Sequence, residues 1–240
     1  VFHRNAWLVT CTSAETLEVI REEVPTSQGR QYRVTGHPKA DLLRRVAVRP
    51  RGDHPFTILW SAHHSIGDDW LKFGTFHKSA HAMLDAARAH PEWNFIFSAH
   101  QALLTRMESA EPPLSRTMVD GFLRGWNALP NTTIFGGGDY ADVFAEADVL
   151  VCDGLSWLIE FQLVNKPVVF IERADHARFN PLGEVTLAGM HRVTSARGAL
   201  ELVTAFAAGE PGAKAAAQRE VGQRLFGEEG ASARILAGIR

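Results

Sequence analysis

The residues of this chain that could do chemistry fall at one kind of place, directly after short apolar runs. After FTILW come Ser61, Ala62, His63, His64 and Ser65, and after WNFIF come Ser98, Ala99, His100 and Gln101. TTIF leads into Gly136, Gly137 and Gly138, DVLVC into Asp153, Gly154, Leu155 and Ser156, and KPVVFI into Glu172, Arg173, Ala174, Asp175 and His176. Imidazoles and hydroxyls donate hydrogen bonds to phosphate oxygens, carboxylates accept them from sugar hydroxyls, and glycines let a backbone come close to either. The chemistry these types suit is recognition of a phosphate- and ribose-bearing ligand.

Each residue also has a plainer reading. His63 or His64 could pack beneath the chain, with the other facing a ligand, and a lone His100 could be a satisfied structural residue. Gly137 and Gly138 could serve only a turn, since no GxGxxG pattern surrounds them. Asp153 to Ser156 is the sharpest local signal, because Ser156 stands where a helix should begin and a helix start favours an anion such as a diphosphate. Either residue could instead only cap that helix, worth about 1 kcal/mol. Both roles can hold at once. Glu172 and Asp175 suit ribose hydroxyls or a solvated loop, and Glu160 follows Ser156 by one turn. No CxxC, GxSxG or GxxxxGK[ST] pattern occurs, so neither a metal nor a cofactor is expected.

The runs that precede these residues are apolar along their whole length, as in strands buried on both faces. Strands are expected over 56–62, 93–100, 132–138, 148–154 and 166–172, with a last short one over 191–195. Helical spacing fills 76–90, 116–129, the YADVFAEA and SWLIEFQLVN segments, and 197–208, 212–226 and 229–238. Strand and helix alternate, which predicts a doubly wound parallel α/β sheet with right-handed crossovers. In such sheets ligands bind beyond the carboxyl ends of the strands, where the polar residues fall. Upstream, 7–13 reads as a strand, 14–24 as a helix, and 32–43 as a strand, a Gly-His-Pro turn and a helix start. The polar, Pro- and Gly-bearing stretch 49–55 reads as a linker between residues 1–48 and 54–240. The chain opens on Val1 as if in mid-strand, so a preceding segment is expected.

Composition agrees with a packed core. Of 240 residues, 45% are hydrophobic and six are Trp, while a net charge of -2 gives no basic footprint for nucleic acid. Cys11 and Cys152 sit in apolar runs and read as reduced, buried thiols, which fits a cytoplasmic protein. No apolar run approaches the roughly 18 residues that would span a bilayer.

Taken in order, the strand-end motifs resemble the bacterial CDP-glycerol glycerophosphotransferase family of teichoic-acid and capsule-type polymer synthesis. The resemblance runs from Tyr32 to Arg192. VTGHPKAD, residues 34–41, is similar to the family's T-G-aromatic-P-R-x-D turn, and LWSAHHSI, residues 59–66, to its Y-A-P-H-H-S-I strand. FIFSAHQ, residues 95–101, falls where relatives carry K-x-H-P. ADVLVCDGLS, residues 147–156, is similar to A-D-V-L-I-T-D-Y-S-S, and KPVVFI, residues 166–171, to K-P-I-I-F-Y. These last two blocks and their spacing are the specific part.

The resemblance implies a GT-B fold in which 54–240 is the C-terminal, Rossmann-like donor-binding domain and 1–48 the short end of an acceptor-side domain. It implies that His100 binds or neutralises the donor diphosphate, that Gly154 and Ser156 lie over phosphate, and that Asp153 positions the turn. The family's H-G-T base belongs to its first domain, and this chain has no such motif. Ser98-Ala99 replaces the family's lysine, Gln101 its proline, and Gly154-Leu155 its Tyr-Ser. A positive charge and a hydroxyl that would meet phosphate are thereby missing. The expected function is transfer of glycerol phosphate or a sugar from a nucleotide-activated donor to a polymer or lipid-linked acceptor, inside the cell, with peripheral membrane association at its inner face. A UDP-sugar epimerase-like enzyme and a degenerate nucleotide-binding domain remain open alternatives.

Overall fold

A computed structural model describes residues 6–23, 31–47, 54–67 and 69–239. Its centre is a six-stranded sheet in the order β5-β4-β3-β6-β7-β8, with every neighbouring pair parallel. The strands are β3 (Thr57–Ala62), β4 (Asn94–Ala99), β5 (Thr132–Ile134), β6 (Val149–Cys152), β7 (Val168–Ile171) and β8 (His191–Val193). The chain steps outward from β3 to β5, returns to lay β6 beside β3, and then steps out the other way. That reversal opens a crevice between the ends of β3 and β6, the place where such sheets bind ligands. A second, two-stranded sheet pairs β1 (Val9–Cys11) with β2 (Tyr32–Val34), also in parallel.

Both faces of the main sheet are covered, so alternate residues of each strand enter different cores. Ile58, Trp60, Phe95, Phe97, Val149 and Val151 pack with α3 (Phe76–Ala89), α5 (Arg116–Asn127) and α9 (Ala196–Ala207). Trp60 stacks on Phe76 with centroids 5.8 Å apart, and Phe97 and Trp126 close around it at 4.6 and 6.0 Å. Each buried ring of this kind contributes roughly 1.5–3 kcal/mol relative to exposure. Leu59, Ile96, Leu150, Cys152, Val168 and Phe170 face the other way. They meet α2 (Pro38–Ala47), α6 (Ala141–Glu146), α7 (Ser156–Glu160) and α10 (Ala215–Phe226). Ala40, Leu43 and Val46 of α2 are members of this second core.

The chain's end returns to its beginning. Arg224 of α10 pairs with Glu15 of α1 (Ala14–Glu23) at 2.6 Å, and Arg234 of α11 (Ala231–Ile239) donates to the Thr35 carbonyl at 2.8 Å. Gly36 makes this approach workable, since its φ is +80° and a Cβ there would stand 2.9 Å from both Arg234 Nη2 and the Glu228 carbonyl.

The structure departs from the sequence expectation in three places. Two helices appear where no element was expected: α4 (Gln101–Ser109), which follows β4 at once, and α8 (Pro181–Thr186). Asn180 caps α8 by accepting from Gly183 N–H at 2.8 Å, with Pro181 in the first turn. The helix expected across 156–165 divides into α7 and a 3-10 turn over Phe161–Val164. The linker expected over 49–55 lies, but for its last two residues, outside the described residues. Among the described residues no helix is long and apolar enough to cross a membrane.

Candidate functional site

The crevice is built on a carboxylate that points inward. Asp153, directly after β6, is 1% exposed. Its Oδ1 accepts the His63 backbone N–H at 2.6 Å, and its Oδ2 accepts Thr75 N–H at 2.5 Å and the Thr75 hydroxyl at 2.8 Å. Burial pushes this carboxyl up to about 6, against the pull of those donors. Asp153 therefore ties the end of β6 to the segment after β3 and to the start of α3. It does not cap α7, whose start has no side-chain cap.

Three imidazoles cluster beside this tie, each pair of rings tilted by 37 to 51°. His64 lies between His63 and His100, with centroids 4.2 and 4.4 Å away. Burial, and then the neighbouring His64 and His100, hold His63 down at about 4, so its ring is neutral at neutral pH. His64 is also lowered, first by burial and then by His100, and its Nδ1 is buried without a hydrogen-bond partner. His100 is exposed and caps α4, its Nδ1 accepting the Ala102 N–H at 3.1 Å. That bond places the neutral ring's proton on Nε2. Gly154 has to be small here, because a Cβ would stand 3.0 Å from His63 Cδ2 and 3.1 Å from His63 Cβ.

Between the ends of β3, β4, β5 and β6 lies a cavity of about 290 Å3. His63, His100, Gln101, Gly137, Gly138, Gly154 and Ser156 line it, together with Ser61 and Ser98. Gly137 and Gly138 adopt φ of +106° and +105° with open space where a Cβ would be, so the backbone conformation is what requires glycine. Among the described residues, no Lys, Arg, Asp or Glu lines the cavity. Its polar side chains are serine hydroxyls, the Gln101 amide, the Tyr140 phenol and two imidazoles. Among the described residues, no group of three or more His, Cys, Asp and Glu is arranged to hold a metal.

Several candidate residues lie elsewhere. Ser65 is fully buried beneath His63, with its hydroxyl 2.7 Å from His63 Nδ1. His64 touches the cavity only through its neighbours, and Asp153 is sealed below it. Glu172 takes Arg192 at 2.8 and 2.7 Å and His176 at 3.0 Å, and Arg192 holds its carboxyl below the usual range. Asp175 is paired with Arg173, which lowers it to about 2, and Lys72 lies 3.7 Å away. Neither carboxylate lines the cavity.

Sequence reasoning missed the apolar wall made by Leu104, Phe135, Tyr140, Leu155 and Trp157. Tyr140 and Trp157 lie 5.2 Å apart, and Phe135 and Trp157 6.0 Å. The Tyr140 hydroxyl donates to Glu160, and Lys39 holds Glu160 at 3.2 Å while lying 5.1 Å over the Tyr140 ring. Burial, and then Glu160, push the Tyr140 phenol up, so it stays a neutral donor. The available signal was position: these aromatic residues flank the glycine run and follow Ser156.

No family model matches the chain, and no curated protein matches its sequence. Solved structures do match in fold. The UDP-GlcNAc 2-epimerase of Neisseria meningitidis bound to UDP-GlcNAc superposes with a TM-score of 0.59 at 12% identity, over 98% of this chain and 60% of that one. The wall teichoic acid polymerase TagF gives 0.60 at 12% identity, over 97% and 57%. The S. aureus MnaA complex with UDP gives 0.59 at 16% identity, over 98% and 59%. The chain is thus similar to GT-B enzymes in fold and spans about three-fifths of the length of each.

Proposed function

We propose that this chain is the donor-binding part of a GT-B-type transferase that moves glycerol phosphate or a sugar from a nucleotide-activated, CDP-glycerol-like donor. The observation that carries this reading is the cavity at the strand reversal, which joins an apolar aromatic wall to a rim of hydroxyls, imidazoles and glycine backbone. A nucleoside diphosphate has the complementary parts. Its base fits against Tyr140 and Trp157, and its phosphates fit the glycine backbone, the Ser156 hydroxyl and the N–H groups at the uncapped start of α7. His100, with its proton on Nε2, takes the catalytic place by donating to the diphosphate as the bond to it breaks. Donors fixed where charge develops are the largest source of rate in such chemistry. The acceptor, a polymer or a lipid-linked molecule at the membrane face, and the base that deprotonates it belong to an acceptor-side domain of which residues 1–48 are the end.

A second reading has a specific support: the epimerase neighbours superpose as well as the polymerase does, at 0.59 against 0.60. A UDP-sugar epimerase needs no acceptor, so product analysis without acceptor separates the two. The test of the shared premise is a thermal-shift series with CDP, UDP, GDP and ADP. Stabilisation by at least one is expected, and none by any would sink the donor-site reading. Binding without turnover under either assay would leave a nucleotide-binding domain.

A further inference from the structure

We infer that Ser65 is a positioning residue that fixes His63 as the neutral tautomer with its proton on Nε2, so that the cavity presents a permanent uncharged donor there. A serine hydroxyl has two lone pairs and one proton. Both acceptor sites of Ser65 Oγ are taken, by Phe73 N–H at 2.8 Å and Gly74 N–H at 3.3 Å. Its proton then has one partner left, His63 Nδ1 at 2.7 Å. The Ser65 backbone N–H addresses the same nitrogen at 3.2 Å. Two donors converging on Nδ1 need a lone pair there, and the hydrogen bond on one ring nitrogen sets the proton on the other.

The ring itself is held. His63 N–H is tied to Asp153, its Cβ and Cδ2 lie against Gly154, and His64 covers it at 4.2 Å. Nε2 makes no hydrogen bond to the described residues, and His63 lines the cavity. A proton on Nδ1 would oppose the Ser65 hydroxyl and N–H, so the imidazolium is disfavoured by geometry as well as by burial. His63 is therefore neither a cation nor a base toward a ligand at Nε2. It is a hydrogen-bond donor that keeps its proton across the neutral range. What that donor meets rests on the nucleotide reading above; the tautomer does not.

The test uses the full chain with 15N-labelled imidazoles, read by long-range proton–nitrogen correlation at neutral pH. His63 is assigned by the signals lost in His63→Gln. The expected pattern is an unprotonated, hydrogen-bonded Nδ1 and a protonated Nε2; a proton on Nδ1 would overturn the inference. Ser65→Ala should bring the Nδ1–H form into view, and Ser65→Thr, which keeps the hydroxyl, should not. A folded Ser65→Ala with an unchanged His63 pattern would remove the role of the hydroxyl. If the stranded Phe73 and Gly74 N–H groups prevent Ser65→Ala from folding, the wild-type and Ser65→Thr spectra decide. Adding CDP or UDP should then move Nε2 more than the matching nucleosides do. The expected tautomer with no response to either nucleotide would uphold Ser65 and strike down the diphosphate reading instead.

Discussion

Beyond β3, β4, β5 and β6, the carboxyl edge of the sheet opens into a cavity whose described lining holds no Lys, Arg, Asp or Glu. Beyond β7, the same edge holds Glu172, Arg173, Asp175 and His176, joined by Arg192 from β8. Those groups close on one another, and none lines the cavity. In the first region His63 Nε2 finds no hydrogen-bond partner among the described residues, and the start of α7 has no side-chain cap. The difference teaches that polarity at a strand end marks only a loop that must meet water. A ligand site needs polar atoms that the fold holds in place and leaves unsatisfied.

The firmest way to break that comparison is at Asp153, the residue that holds the open region in place. Asp153→Asn keeps the shape but turns an NH2 group toward the His63 and Thr75 donors, stranding at least one of them in the interior. A buried unsatisfied donor costs about 1–3 kcal/mol, and two put the loss on the order of 3 kcal/mol. Urea unfolding should show it. Loss of nucleotide binding with unchanged stability would instead make Asp153 a ligand contact. Gly154→Ala comes next. Its methyl would press on His63 at about 3 Å, and overpacking of that sort costs roughly 1–3 kcal/mol. Nucleoside diphosphate affinity should fall about tenfold, as measured by calorimetry. Unchanged affinity would show that the position of His63 does not matter to the ligand.

Much of this arrangement was legible in the sequence, for physical reasons. Segments such as Thr57–Ala62 and Val168–Ile171 read as unbroken apolar runs because each feeds two cores, one on either face. Gly137, Gly138, Gly154 and Ser156 stood out because no apolar strand explains them. What stayed hidden depends on direction. Asp153 and Ser65 turn inward, a choice made by Thr75 and Phe73 from distant segments. Tyr140 and Trp157 look like core residues until the topology puts them on the cavity wall. Helix α4 was missed because a histidine, not a serine or aspartate, caps it.

The pH response sharpens the same contrast. His63 titrates near 4 in the folded chain against 6.5 when free, so its contribution is fully present above about 6.5 and fades as pH falls toward 4. Asp153, raised from 3.8 to about 6, works the other way over much of that window. Subtracting the His63→Gln curve from the wild-type curve isolates the histidine. The stability gap should narrow by on the order of 1 kcal/mol between pH 7 and 5, allowing for its partial exposure. A gap independent of pH would mean that the ring is not held neutral.

The smallest effect belongs to the closed region, and its smallness is what gives the comparison content. Glu172→Gln removes a charge from a pair whose arginine is 50% exposed, and such pairs are worth at most about 1 kcal/mol. Glutamine still accepts a hydrogen bond from Arg192 or His176, so the unfolding midpoint should move by less than the equivalent of about 0.5 kcal/mol. The thermal shift given by nucleotide should stay as in wild type. Ser156→Ala should do the reverse, leaving stability nearly untouched, whereas His100→Ala should cost about 1 kcal/mol through its lost cap on α4. Both should weaken diphosphate binding more than nucleoside binding. Equal loss for both ligands would assign Ser156 and His100 to folding. If Glu172→Gln weakened binding as much as Ser156→Ala, the ion pairs beyond β7 would open when ligand arrives, and the boundary between the two regions would belong to the ligand-free state alone.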